Sequence, residues 1–207
     1  MENNIFFTPT SKIPFFVLLH QLGSNEKDLL FLKDKLPKNS FIISIKGPYE
    51  WTTEIEDGCS WFDIDGNSLG NFSNIEQIEK STIYVNSILT EIMIKYPFLD
   101  DPIFIGVSQG GILALHLCLE KKINNKGVVC LLGFYEVRLD CNVTTNTPVL
   151  MINGITDSVI PYDWAEKSYY HLKNKGKNIT GMFLNSGHEI TEEMIDISML
   201  WIYNLLK

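Results

Sequence analysis

The sequence has no block of lysine or arginine. Its 17 basic residues are outnumbered by 25 acidic ones, and the net charge of −8 is spread along the chain. Neither nucleic acid nor an anionic lipid surface finds an electrostatic footprint there, so no nucleic-acid partner is expected. Nor is there a run of about 20 apolar residues, the length a membrane helix needs. The opening MENNIFFTPTSKIPFFVLLH carries Glu2 near its front and has its apolar runs broken by Pro9, Lys12 and Pro14, so neither a signal peptide nor stable membrane insertion is expected. Cys59, Cys118, Cys130 and Cys141 lack CxxC spacing. With Cys118 and Cys130 set in apolar segments, the reading is of reduced thiols packed as small hydrophobes in a cytoplasmic chain. HExxH, a His/Cys cluster at metal-ligand spacing and GxGxxG are all missing, and GVSQGG does not continue into the Lys-Ser/Thr of a phosphate loop. Metal, dinucleotide and phosphate-loop chemistry have no support in the pattern.

What remains is an ordinary globular composition, 45% hydrophobic and 20% charged over 207 residues, long enough for one domain with a full core. Continuous apolar runs at residues 15–19, 41–44, 103–107, 127–132 and 149–153 read as strands buried on both faces, and a further strand is expected at 179–183. Between them the pattern predicts helices over residues 26–36, after Ser108, over 163–174 and over 191–206. Another, opened by a capping box of Ser73 and Glu76, runs to just before Pro97. Such alternation predicts an α/β fold, a mostly parallel central sheet with helices on both faces, and a site at the carboxyl ends of its strands. Residues 51–74, rich in turn formers and aromatics, break the rhythm. They read as a long loop near the site or as a structural Ω-loop.

The chemistry is concentrated in three loops. Gly106-Val107-Ser108-Gln109-Gly110 follows a strand and opens a helix, the setting of a sharp turn that lifts a serine hydroxyl out of the fold. A serine needs a base, and the base needs a carboxylate to orient it. Asp157 follows the strand VLMIN, and His188 follows the strand at 179–183, each just past a strand's carboxyl end. The order Ser108, Asp157, His188 is that of an α/β-hydrolase nucleophile, acid and base. Two N–H donors for an oxyanion would come from Gln109, at the mouth of its helix, and from Leu22 in the loop after the first strand.

Together LLHQLGS, GVSQGG, GITDSVIP and GHEIT, with WFDI in the long loop, resemble the phospholipase/carboxylesterase family of α/β-hydrolases, which includes acyl-protein thioesterases. The resemblance spans the chain from about Phe15 to the last helix. It implies an α/β-hydrolase fold over residues 1–207 without a large lid domain. It also implies hydrolysis of a small-molecule or lipid ester or thioester without metal or other cofactor. Ser108, Asp157 and His188 take the triad roles and Leu22 and Gln109 the oxyanion donors; a homodimer is compatible with it. Where the family usually has glycine after the histidine of the first motif, this chain has Gln21, which narrows the site or tilts the Leu22 N–H. GFYEVRLDCNVTTNTP matches no family pattern.

Each assignment has a plainer competitor. Ser108 could be a helix N-cap and Asp157 an Asx-turn residue, with Asp163 its rival carboxylate. His188 could cap the final helix. His20 reads as a brace for the oxyanion loop, and His116 and His171 as packing or surface residues. Gln21, Trp61, Phe62, Leu69, Phe72 and Ile160 are candidates for the acyl pocket, although loop aromatics more often anchor a loop to the core. The expected activity is a serine carboxylesterase of small to medium acyl esters. The alternatives are a thioesterase or lysophospholipase of long acyl chains, or a binding module that keeps the fold without the chemistry.

Overall fold

The computed structural model describes residues 12–51, 57–120, 123–136 and 146–207. Strands β1 (Phe15–Leu19) and β2 (Phe41–Ile45) come first, separated by a short 3-10 helix (Leu30–Asp34). A small hairpin of β3 (Tyr49–Glu50) and β4 (Cys59–Ser60) follows, then α1 (Ile75–Lys95), β5 (Ile103–Val107), α2 (Gln109–Leu119) and β6 (Gly127–Leu131). The chain continues with β7 (Val149–Gly154), α3 (Tyr162–Asn174), β8 (Ile179–Leu184) and α4 (Glu192–Leu205). Six strands form one sheet in the order β2-β1-β5-β6-β7-β8, and every neighbouring pair is parallel.

The apolar runs earn their place by serving two faces at once. Phe15, Val17, Leu19, Phe104, Val128, Cys130, Val149 and Met151 point into the layer covered by α1, α2 and α3. Phe16, Leu18, Ile103, Ile105, Val129, Leu131, Leu150 and Ile152 point the other way, under the 3-10 helix and α4. Alternation along a strand therefore carries no polar signal, because both faces are dry. Helix α2 is buried along its whole length, so it runs under the sheet's centre and carries its first residue to the site.

The strand order reverses direction at β1. The chain goes outward from β1 to β2, then crosses back to β5 and proceeds to β8 on the other side. That reversal opens a crevice beyond the carboxyl ends of β1 and β5, where ligands of such sheets bind.

Two expected elements differ. Of residues 26–36 only Leu30–Asp34 is helical, and as a 3-10 helix. The Asn25 side chain takes the Lys27 N–H at 3.0 Å, its carbonyl takes that of Asp28, and i to i+3 bonds continue from Leu29 and Leu32. Pro37 follows directly. Helix α1 is capped one residue later than expected: Asn74 Oδ1 accepts the Gln77 N–H at 3.0 Å. Ser73 is fully buried, its N–H donating to Glu136, while Glu76 pairs with Lys80 at 2.7 Å on the surface.

Cys59, Cys118 and Cys130 are buried thiols. Desolvation pushes the Cys130 thiol up to about 12 and raises that of Cys118 well above its usual range, so both are inert packing groups. Cys141 lies outside the described residues. Among those residues no helix is long and apolar enough to cross a membrane.

Candidate active site

Ser108 sits between β5 and α2 at φ 51°, ψ −116°, a conformation that costs an L-residue energy and persists only where the surroundings enforce it. Two glycines allow the turn. A Cβ on Gly106 would meet the Gly110 carbonyl oxygen at 2.3 Å, and one on Gly110 would meet the Leu19 and His20 carbonyl oxygens at 2.2 and 2.5 Å. The second contact presses the start of α2 against the end of β1, bringing the loop of Leu22 beside the serine. The Ser108 N–H donates to Leu131 O at 2.8 Å, fixing the turn to β6.

Asp157 lies in the loop after β7. Its Oδ1 accepts the N–H groups of Val159 and Ile160 at 2.8 and 2.9 Å. Oδ2 lies 2.6 Å from His188 Nδ1, and His188 Nε2 lies 3.0 Å from Ser108 Oγ. The loops carrying Asp157 and His188 are tied together: Thr156 donates to Ser186 O through both its N–H, at 3.1 Å, and its hydroxyl, at 2.8 Å. The Asp157 side chain is 0% exposed and that of His188 is 16% exposed, so the carboxylate is shut from water while the imidazole faces the cleft. An imidazole held this way can take a proton from the hydroxyl and return it. Asp163 is elsewhere, paired with Lys167 on the surface of α3.

A cleft of 190 Å³ opens over Ser108, lined by Gln21, Leu22, Ile64, Phe72, Gln109, Val159, Ile160 and His188. Among the described residues no backbone acceptor takes the N–H of Leu22 or of Gln109. The structure thus brings together Ser108, Asp157, His188, Leu22 and Gln109, with Gln21, Phe72 and Ile160 on the wall. Ile64 and Val159 line it too; both are exposed, and only the path of their loops could have revealed them.

Trp61, Phe62 and Leu69 are not on that wall. Trp61 and Phe62 are fully buried, Trp61 donating its indole N–H to His20 O at 2.8 Å. Leu69 packs on the core layer of α1 and α2. The loop over residues 51–74 does reach the site through Ile64 and Phe72, while Trp61 and Phe62 fasten it inward. Residues 52–56 of that loop and 137–145 of GFYEVRLDCNVTTNTP lie outside the described residues.

His20 is fully buried and braces the loop of Gln21 and Leu22. The Gly47 N–H donates to its Nε2 at 2.9 Å. The ring proton therefore sits on Nδ1, which donates to Gln21 O at 2.7 Å. Burial lowers its pKa, against the opposing pull of that bond, so the ring is neutral. His116 is buried beside Glu120, and His171 stacks on Tyr135; neither touches the cleft.

Solved structures share this architecture. The esterase PE8 superposes with a TM-score of 0.82 at 22% identity, covering 96% of this chain and 95% of that one. The Zea mays acyl-protein thioesterase 2 gives 0.78 at 22%, covering 98% and 97%, and the Bacillus cereus carboxylesterase 0.76 at 24%, covering 96% and 91%. By sequence, acyl-protein thioesterase 1 homolog 1 of Dictyostelium discoideum is 29% identical over 157 residues, 71% of this chain and 68% of that protein. The phospholipase/carboxylesterase model matches residues 9–205, and the chain therefore belongs to that family of α/β-hydrolases.

Proposed function

We propose that the protein is a serine carboxylesterase of small to medium acyl esters. The observation that carries this reading is the single imidazole reaching Ser108 Oγ at 3.0 Å and the Asp157 carboxylate at 2.6 Å. His188 Nε2 takes the hydroxyl proton as Oγ bonds to the ester carbon, and the carbonyl electron pair moves onto oxygen, held by the N–H groups of Leu22 and Gln109. Collapse expels the alcohol, which leaves with the proton from His188. Water then repeats the sequence on the acyl-enzyme. The size preference is supported by the cleft: 190 Å³ falls below the roughly 300–1,000 Å³ of pockets that take drug-sized ligands.

A second reading has equal support from the comparisons, since the Dictyostelium and Zea mays proteins are named acyl-protein thioesterases. In that case the leaving group is a thiol, or the glycerol hydroxyl of a lysophospholipid as it loses its acyl chain, and the acyl chain is long.

A fluorophosphonate probe tests the common core. Covalent labelling that disappears in Ser108→Ala, with turnover down by about 10⁴-fold or more, is expected. An unlabelled native chain would leave only a binding module. Parallel series of p-nitrophenyl esters and acyl thioesters separate the two readings: activity peaking at short chains and on oxygen esters supports the first, and activity rising with length on thioesters the second.

A further inference from the structure

Leu22 and Gln109, the cleft residues whose N–H groups the hydrolase reading assigns to the oxyanion, come from loops far apart in the chain, and residues 59–62 touch both loops. On one side, Gly23 N–H donates to Cys59 O at 2.9 Å, Cys59 N–H to Ser24 O at 2.7 Å, and the Trp61 indole N–H to His20 O at 2.8 Å. The Trp61 ring also lies against the His20 ring, centroids 4.9 Å apart. On the other side, the Gln109 carboxamide takes the Trp61 N–H at 2.8 Å and gives its own N–H to Phe62 O at 2.6 Å. Ser81 of α1 holds the Trp61 carbonyl at 2.5 Å.

An oxyanion hole works only if its donors are already spaced for the tetrahedral intermediate. On the hydrolase reading Gln109 offers its backbone N–H to the oxyanion, and it spends its side chain on residues 61 and 62. Trp61 in turn grips the carbonyl of the residue that begins the Leu22 loop. His20 closes the circuit by holding the Gln21 carbonyl, whose peptide plane includes the Leu22 N–H.

We propose that residues 59–62 form a clasp that sets the separation of the Leu22 and Gln109 N–H groups. The Trp61 indole and the Gln109 carboxamide are its positioning groups, and His20 orients the peptide it holds. The proposal rests on the hydrolase reading above. It assigns these side chains to the transition state, not to substrate binding.

Trp61→Phe keeps an aromatic ring while removing the indole N–H along with part of the fused ring system, and Gln109→Met keeps the side chain's length and removes both its bonds. Each variant is titrated with the fluorophosphonate, so that turnover is expressed per labelled serine. Each is also measured against a trifluoromethyl ketone, on whose carbonyl carbon Ser108 Oγ forms a bond. The carbonyl pair becomes an oxyanion and the hydroxyl proton moves to His188. We expect kcat per labelled site to fall roughly 10- to 100-fold with KM within about twofold, because uniform binding is untouched, and ketone affinity to fall by the same factor as kcat/KM. Leu172→Ala, a buried change in α3 remote from the clasp, is expected to lower stability with wild-type turnover per labelled site. Unchanged kcat and ketone affinity in the folded variants, a change in KM alone, or failure of both variants to fold would each overturn the clasp. Absence of labelling in the native chain would overturn the hydrolase reading instead.

Discussion

His20 ties chemistry to stability through a single proton. Its Nε2 accepts the Gly47 N–H, so a second ring proton must break that bond inside the core. Burial, the largest influence, lowers its pKa below the ordinary 6.5, with the Gln21 bond and the carboxylates of Asp28 and Glu26 pulling the other way. The folded chain therefore holds this proton less readily than the unfolded one. The stabilisation is complete above pH 6.5 and is lost as pH falls from there through the lowered folded value. Thermal unfolding followed between pH 7 and 5.5 should show Tm dropping with acidity, and His20→Gln should flatten that slope; an equal slope in the variant contradicts the account. Gln109→Ala leaves the Trp61 N–H and the Phe62 carbonyl buried without their partner, a loss of about 1–3 kcal/mol for each group left unsatisfied, readable in urea titrations. Gly110→Ala should cost both stability and labelling rate, since its methyl meets backbone oxygen on the neighbouring strand. Ser108, Asp157 and His188 were legible because each sits in a loop whose local turn chemistry advertises it. The Gln109 carboxamide was not, since its partners are 48 and 47 residues away and depend on where the 51–74 loop lies.

At the level of elements, the strands were readable because a sheet covered on both faces asks for unbroken apolar runs, and few other local patterns do. Helix ends were less so. Ser73 and Asn74 are both good caps, and what separates them is tertiary: Ser73 is drawn into the core beside Glu136, leaving Asn74 to accept the Gln77 N–H. Asn74→Ala should therefore destabilise by about 0.5–2 kcal/mol while Ser73→Ala leaves the cap intact, a contrast that circular dichroism melts resolve. Residues 26–36 have the apolar spacing of a helix, with Leu29, Leu32 and Leu36 buried, yet Asn25 diverts the first turn and Pro37 closes off the last. Burial of the same three leucines is achieved by a tighter coil.

For the molecule as a whole, the alternation of strands and helices made the parallel sheet predictable, whereas the cleft wall was not, because Ile64 and Val159 are surface residues that line it only through the meeting of two loops. The sheet order also distributes the residues of the proposed triad unequally. Ser108 hangs from a central strand, and His188 from β8, which ends the sheet beside β7 and is only half-buried along its length. Rim strands fray at lower cost than inner ones. In mild denaturant the protein should lose the seating of His188, the base of the proposed reaction, before it loses its shape. Hydrogen exchange at residues 179–184 is expected to quicken in step with falling esterase or thioesterase rate, while amides of β5 remain protected. Inactivation of this kind begins as a peeling at one margin of the sheet and reverses on dilution, with the serine still seated on an intact interior.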